Sequence, residues 1–149
     1  MTDISKVFLG GSRSIQTLPT IVCALLQVEM SRNNWFLVGD AEGADLAFQT
    51  YLHEWEYKSV QVYAMHNKLR NNVGGWPVSM VLPNFGAPAR EFYTNKDKLM
   101  ARDCTWGIML YDGKSLGTRN NIERLRALGK KCYVIQREPD NVWRVSGDE

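Results

Sequence analysis

Short apolar runs that stop at Gly or Asp alternate along this chain with amphipathic stretches of helical length, and that alternation limits its fold more than any other feature. Such punctuation is the mark of βα units building a parallel sheet. The first run, Lys6 to Leu9, closes at Gly10 and Gly11; Thr17 and Pro19 then suit the start of a helix whose Leu18, Ile21, Val22, Leu25 and Leu26 share a face. Trp35 to Val38 predicts a second strand, stopped by Gly39 and Asp40, and Ala44, Ala47, Phe48, Tyr51, Leu52 and Trp55 stripe a second helix. Ser59 to Ala64 reads as a third strand. The pattern resumes at Arg90 with a helix carrying Phe92, Lys96, Leu99 and Met100 on one face, then a strand from Trp106 to Tyr111, a helix from Gly117 to Leu128, a strand from Cys132 to Gln136 and a polar tail. The expectation is an α/β fold: a Rossmann-like, doubly wound domain with about five parallel strands and helices on both faces.

Between Met65 and Ala89 the pattern fails. Gly74, Gly75, Pro77, Pro83, Gly86 and Pro88 interrupt the segment, with Trp76 and Phe85 among them. Long irregular stretches inside a compact domain tend to be functional, so a lid or a short inserted hairpin is expected here.

Composition narrows the function. The 149 residues suit one domain, and 44% hydrophobic with 23% charged residues is globular rather than disordered. A net charge of +2 is too small for a partner such as polymeric DNA or RNA. No apolar run approaches the ~18 to 20 residues that cross a bilayer, and the N-terminus lacks a signal-peptide pattern, so a cytoplasmic protein with no membrane partner is expected. Cys23, Cys104 and Cys132 are scattered in apolar text and read as buried thiols; His53 and His66 have no partner at metal-ligand spacing. Neither a metal nor another cofactor is expected.

Ligands of open parallel sheets bind beyond the carboxyl ends of the strands, and four clusters follow strands or interrupt them. Gly10-Gly11-Ser12-Arg13 offers backbone N–H groups, a hydroxyl and a guanidinium to an anion. In Gly39-Asp40-Ala41-Glu42-Gly43-Ala44-Asp45 three carboxylates surround two glycines; Asp40 or Asp45 suits ribose hydroxyls, and Asp45 also meets the positive end of the second helix. Asp112-Gly113-Lys114-Ser115-Leu116-Gly117-Thr118 leads directly into a helix, an arrangement that holds phosphate on free N–H groups and a hydroxyl. Neither the Walker spacing nor G-x-G-x-x-G is present. The fourth cluster is Arg70-Asn71-Asn72 with Trp76, an anion partner beside a ring able to stack on a base or to anchor the core.

These motifs carry a resemblance. VFLGGSR, LVGDAEGAD, and DGKSLGT followed by GKKCYVI resemble the SLOG superfamily of Rossmann-like nucleotide-binding domains, from about Lys6 to Ile135. That group includes the LOG, or lysine-decarboxylase-like, phosphoribohydrolases; the nucleoside 2-deoxyribosyltransferases are a more distant likeness. The resemblance implies a small-molecule nucleotide or nucleoside as ligand, and in the enzymatic branches cleavage or exchange of the bond between base and sugar. Matched to the LOG motifs, Gly117 and Thr118 keep the anion turn and Met100 keeps the helix methionine, whereas Lys96 stands for the catalytic Arg and Asn121 for the catalytic Glu. An amide neither takes a proton at neutral pH nor acts as a carboxylate nucleophile.

Two readings follow. In the first the chain is a binding or sensing domain, with ligand at Gly10, Gly11, Ser12, Arg13, Gly39, Asp40, Gly43, Asp45, Arg70, Trp76, Lys96, Asp112, Gly113, Ser115, Gly117, Thr118 and Asn121. In the second it is an N-glycoside hydrolase (N-glycosidase) or transferase in which Asp45, Asp40 or Glu42 supplies the catalytic carboxylate. Related domains often self-associate, and the sequence leaves a homo-oligomer open.

Overall fold

The computed structural model describes residues 3–83 and 92–147. The elements run β1 (Lys6–Gly11), α1 (Thr20–Ser31), β2 (Trp35–Gly39), α2 (Ala44–Glu54), β3 (Val60–Met65), β4 (Val78–Val81), α3 (Thr94–Asp103), β5 (Trp106–Tyr111), α4 (Leu116–Ala127), β6 (Cys132–Arg137) and β7 (Trp143–Ser146). They form one seven-stranded sheet in the order β4-β3-β2-β1-β5-β6-β7. Every neighbouring pair is parallel except β6 and β7.

The sheet is buried from both sides, which is why its central strands read as nearly continuous apolar runs. Successive side chains of a strand point to opposite faces. Val7 and Leu9 accordingly join Phe36, Val38 and Ile108 beneath Val22 and Leu26 of α1 and Phe48 and Leu52 of α2. Phe8, Leu37, Tyr63 and Met109 point the other way, onto Met100 and Ala101 of α3 and Ile122 and Leu125 of α4. Two helices therefore cover each face, an α/β arrangement consistent with the Rossmann-like class.

Topology also fixes where the chain reverses. From β1 it works outward through β2 and β3 to β4, then α3 crosses back over β3, β2 and β1 to deliver β5 on the other side of β1. The carboxyl ends of β1 and β5 thus diverge into helices on opposite faces, leaving a crevice between them. The end of α3 is held by Lys130, whose Nζ donates to the carbonyl oxygens of Ala101, Arg102 and Cys104, each at 2.7 Å. This satisfies acceptors that a helix end leaves open.

Several expectations are corrected. The sheet has seven strands, not about five. The segment expected to be a lid or a short inserted hairpin contains β4, which among the described residues pairs with β3, in parallel, at the edge of the sheet. The polar tail contains β7, which pairs antiparallel with β6 and brings Val145 opposite Ile135. Helix α1 begins at Thr20 after Pro19, with no side-chain cap, so Thr17 is not its capping residue. Cys104 and Cys132 are buried, but Cys23 is only half-buried. The expected helix start at Arg90 and the last part of the irregular segment lie outside the described residues. Among the described residues no helix is long and apolar enough to cross a membrane.

Candidate functional site

A cavity of about 310 Å³ opens in the crevice between the carboxyl ends of β1 and β5. Its walls bring together Phe8, Gly10, Gly11, Ser12, Arg13 and Ser14 from β1 and its turn, with Asp112, Ser115, Gly117, Thr118 and Asn121 from the turn after β5 and the start of α4. Ala41 and Asp45 enter from the β2–α2 turn, Arg70 from the segment after β3, and Tyr93, Lys96, Asp97 and Met100 from α3 and the residue before it. Larger clefts of about 580 and 940 Å³ lie between α1 and α2 and near Trp106 and Tyr133. Neither sits where the winding reverses.

Local chemistry builds the wall at the start of α4. Asp112 accepts from the backbone N–H groups of Lys114 (2.9 Å) and Ser115 (2.8 Å) and from the hydroxyls of Ser14 (2.7 Å) and Ser115 (2.9 Å). Burial opposes its ionisation, but these donors outweigh burial and hold the carboxyl far below the usual range. Asp112 is thereby the frame of the turn, and its charge is already surrounded by donors. Ser12, fully buried, accepts from the Asp112 N–H at 3.1 Å and shares a hydrogen bond of 3.2 Å with the Thr118 hydroxyl, pinning the β1 turn to α4. Gly117 and Thr118 of the first turn of α4 line the crevice, and a side chain added at Gly117 would meet open space. The first N–H groups of any helix lack intrahelical acceptors and attract negative charge.

The opposite wall carries the charges. Asp45, 7% exposed, sits in the first turn of α2 and accepts from the Ala41 N–H at 3.1 Å. Burial raises its carboxyl to about 6, against the pull of Lys96 and the Ala41 N–H. Lys96 is also buried, with its Nζ 3.0 Å from Asp97. Burial alone would lower its ammonium, but Asp97 and Asp45 hold it above the ordinary value. Gly39 makes this cluster fit: a Cβ there would stand 2.4 Å from Asp45 Oδ2 and 3.0 Å from Lys96 Nζ. At the rim, the Arg70 guanidinium lies over the Tyr93 ring, 4.0 Å from its centroid.

Other residues singled out by sequence are placed elsewhere. Asp40 is fully buried outside the cavity lining, one carboxylate oxygen accepting from the Arg70 N–H (2.9 Å) and the other from its guanidinium (2.7 Å). Its acceptors are taken up in anchoring the segment after β3. Glu42 faces the cleft between α1 and α2 and accepts from Asn71 Nδ2, so it does not stand in the crevice as a catalytic carboxylate. Trp76 is 7% exposed, packed in the core, and its indole N–H donates to the Tyr57 carbonyl at 2.9 Å; the ring is an anchor and not a stacking platform. Gly43 adopts φ +82° with the Arg13 backbone where a side chain would stand, fastening α2 to the β1 turn. Gly113, in the turn after β5, faces Gln136.

Sequence reasoning missed Phe8, Ser14, Ala41, Tyr93, Asp97 and Met100 in the lining. Ser14 stood just beyond one motif and Ala41 inside another, passed over because an apolar methyl offers a ligand no polar group. The α3 residues enter only through the crossover that carries α3 over β1. Among the described residues no group of three or more His, Cys, Asp and Glu side chains gathers to hold a metal ion.

The class defined by these observations is an α/β chain with a polar cavity where a doubly wound sheet reverses. Beyond that class, no protein-family model matches the chain, and no curated protein or solved structure is significantly similar to it.

Proposed function

We propose that the crevice between β1 and β5 binds a nucleotide or nucleotide derivative, its phosphate at the start of α4, and that the chain is a binding or sensing domain of the SLOG kind. The observation that carries this reading is the union, in one cavity, of the α4 N–H groups and the Ser12 and Thr118 hydroxyls on one side with the Asp45 carboxyl, Lys96 and Arg70 on the other. The first side suits phosphate oxygens; Asp45, rather than the occupied Asp40, suits sugar hydroxyls. The test is mass-spectrometric. After incubation with nucleosides, mononucleotides, cyclic nucleotides and dinucleotides, phosphorylated ligands should be retained unaltered. Retention of no ligand, or of nucleosides as readily as nucleotides, refutes the reading.

One observation favours a second reading, an N-glycoside hydrolase or deoxyribosyltransferase: Asp45 is a buried carboxyl on the cavity wall, held near 6. A carboxylate so tuned can take a proton from a water that attacks the anomeric carbon, or attack that carbon itself, while the base leaves with the electron pair of the broken C–N bond. Free base accumulating in the same samples, and absent with Asp45→Asn, is the expected result of this reading. No free base from any nucleoside or nucleotide dismisses it.

A further inference from the structure

An amide presents an acceptor at one corner and donors at the other, so what Asn121 offers the cavity depends on which way round it sits. Arg124, three residues further along α4 and outside the cavity lining, decides this: its Nη1 donates to Asn121 Oδ1 at 2.5 Å. A guanidinium has no acceptor, so only the amide oxygen can occupy that corner. Asn121 is 7% exposed and lines the cavity, and the side-chain hydrogen bond described for it is the one its Oδ1 accepts from Arg124. It stands three residues after Thr118, near the start of the helix.

We propose that Arg124 is a positioning residue that sets the hydrogen-bond polarity of the cavity. By holding the Asn121 oxygen it turns the amide donor inward, so that Asn121 adds a donor, not an acceptor, to the α4 wall beside Thr118. Such a wall matches a ligand group that accepts at every lone pair and carries no proton, a phosphoryl or carboxylate oxyanion, and disfavours a neutral donor such as a hydroxyl. The inference rests on reading the start of α4 as the anion end of the site and deepens it. It also gives the amide at position 121 a binding role in place of the acid–base chemistry it lacks.

The test is calorimetric titration of inorganic phosphate, AMP and adenosine into wild type, Arg124→Ala, Arg124→Gln, Arg124→Lys, Asn121→Ala and the double variant Arg124→Ala/Asn121→Ala. Losing one oriented hydrogen bond should weaken phosphate and AMP about 3- to 10-fold in Arg124→Ala and leave adenosine unchanged. Arg124→Gln, which can donate to the same oxygen without a charge, should restore affinity. The double variant should bind no more weakly than Asn121→Ala, because Arg124 acts through that amide. Retention in Arg124→Lys with loss in Arg124→Gln would show that charge alone matters and would overturn the proposal. So would an undiminished Arg124→Ala effect in the Asn121→Ala background.

If wild type binds neither phosphate nor AMP, the anion reading fails, and the orientation is judged without ligand. The Asn121 amide protons should then show one set of nuclear Overhauser contacts to the cavity wall in wild type and two orientations in Arg124→Ala. Identical contacts in both proteins overturn the positioning role.

Discussion

The segment from Arg70 to Trp76 and the turn from Asp112 to Thr118 look alike on paper, each a polar, glycine-bearing stretch beyond a strand, yet they use their polar groups in opposite ways. In the first, Gln49 donates to the Gly39 and Asn71 carbonyls and accepts from the Val73 N–H, Asn72 clasps both backbone groups of Trp76, and Asn71 and Arg70 are tied to Asp40. This is a strap tied down inside the protein, its one buried side-chain donor without a partner among the described residues being Arg70 Nε. In the second, Asp112 organises the turn, and Gly117 and Thr118 at the start of α4 line an open cavity. The difference teaches that residue type after a strand does not identify a binding loop. What matters is whether the polar groups are already satisfied.

The comparison can be broken most forcefully at Trp76. Trp76→Ala removes a buried ring from the strap and should cost about 3 to 5 kcal/mol in chemical denaturation, while the folded fraction still binds AMP. Lost AMP affinity with unchanged stability would make the ring a ligand platform after all. Asp45 tests the charged wall next. Its carboxyl ionises near the ordinary ~3.9 when unfolded but at about 6 when folded, so in that window the folded state keeps a proton the unfolded state has released. Stability conferred by the protonated form is therefore lost as pH rises from about 4 to 6. Asp45→Asn should flatten this component and raise stability at pH 8 by on the order of 1 to 3 kcal/mol, read from melting curves of both proteins across the range. An Asp45→Asn protein that is less stable at pH 8, with an unchanged slope, contradicts the assignment. The smallest effect is expected at the turn itself: Thr118→Ala should weaken AMP about 3- to 10-fold by the loss of one hydroxyl donor, without altering adenosine or the melting temperature by more than the loss of a single hydrogen bond allows. Equal weakening of AMP and adenosine would remove the phosphate from this wall.

The sequence and the structure agree where burial on two faces dictates apolar runs. The five central strands and four helices are legible for that reason, with boundaries shifted by a residue or a few. The strands that escape, β4 and β7, are four-residue edges. Val78–Val81 is hemmed by Pro77 and Pro83, and β7 offers only Trp143 and Val145 as an alternating pair in a polar tail. That pair was the available signal. In the site, residues following β1 and β5 were legible because the ends of parallel strands are where ligands bind, whereas Tyr93 and Asp97 depend on the route α3 takes across the sheet. Asp40 and Trp76 misled because a sequence shows a polar or aromatic group but not the partner that satisfies it.

The central claim is that the turn after β5 receives the ligand while the strap contributes only Arg70, the residue of it that lines the cavity, and amide chemical shifts during AMP titration test it most directly. The account predicts that the backbone N–H signals of Ser12, Arg13, Gly117 and Thr118 move together with one saturation curve while those of Val73 to Trp76 stay in place. Movement confined to the strap or to the cleft between α1 and α2, or no movement at all, would contradict it.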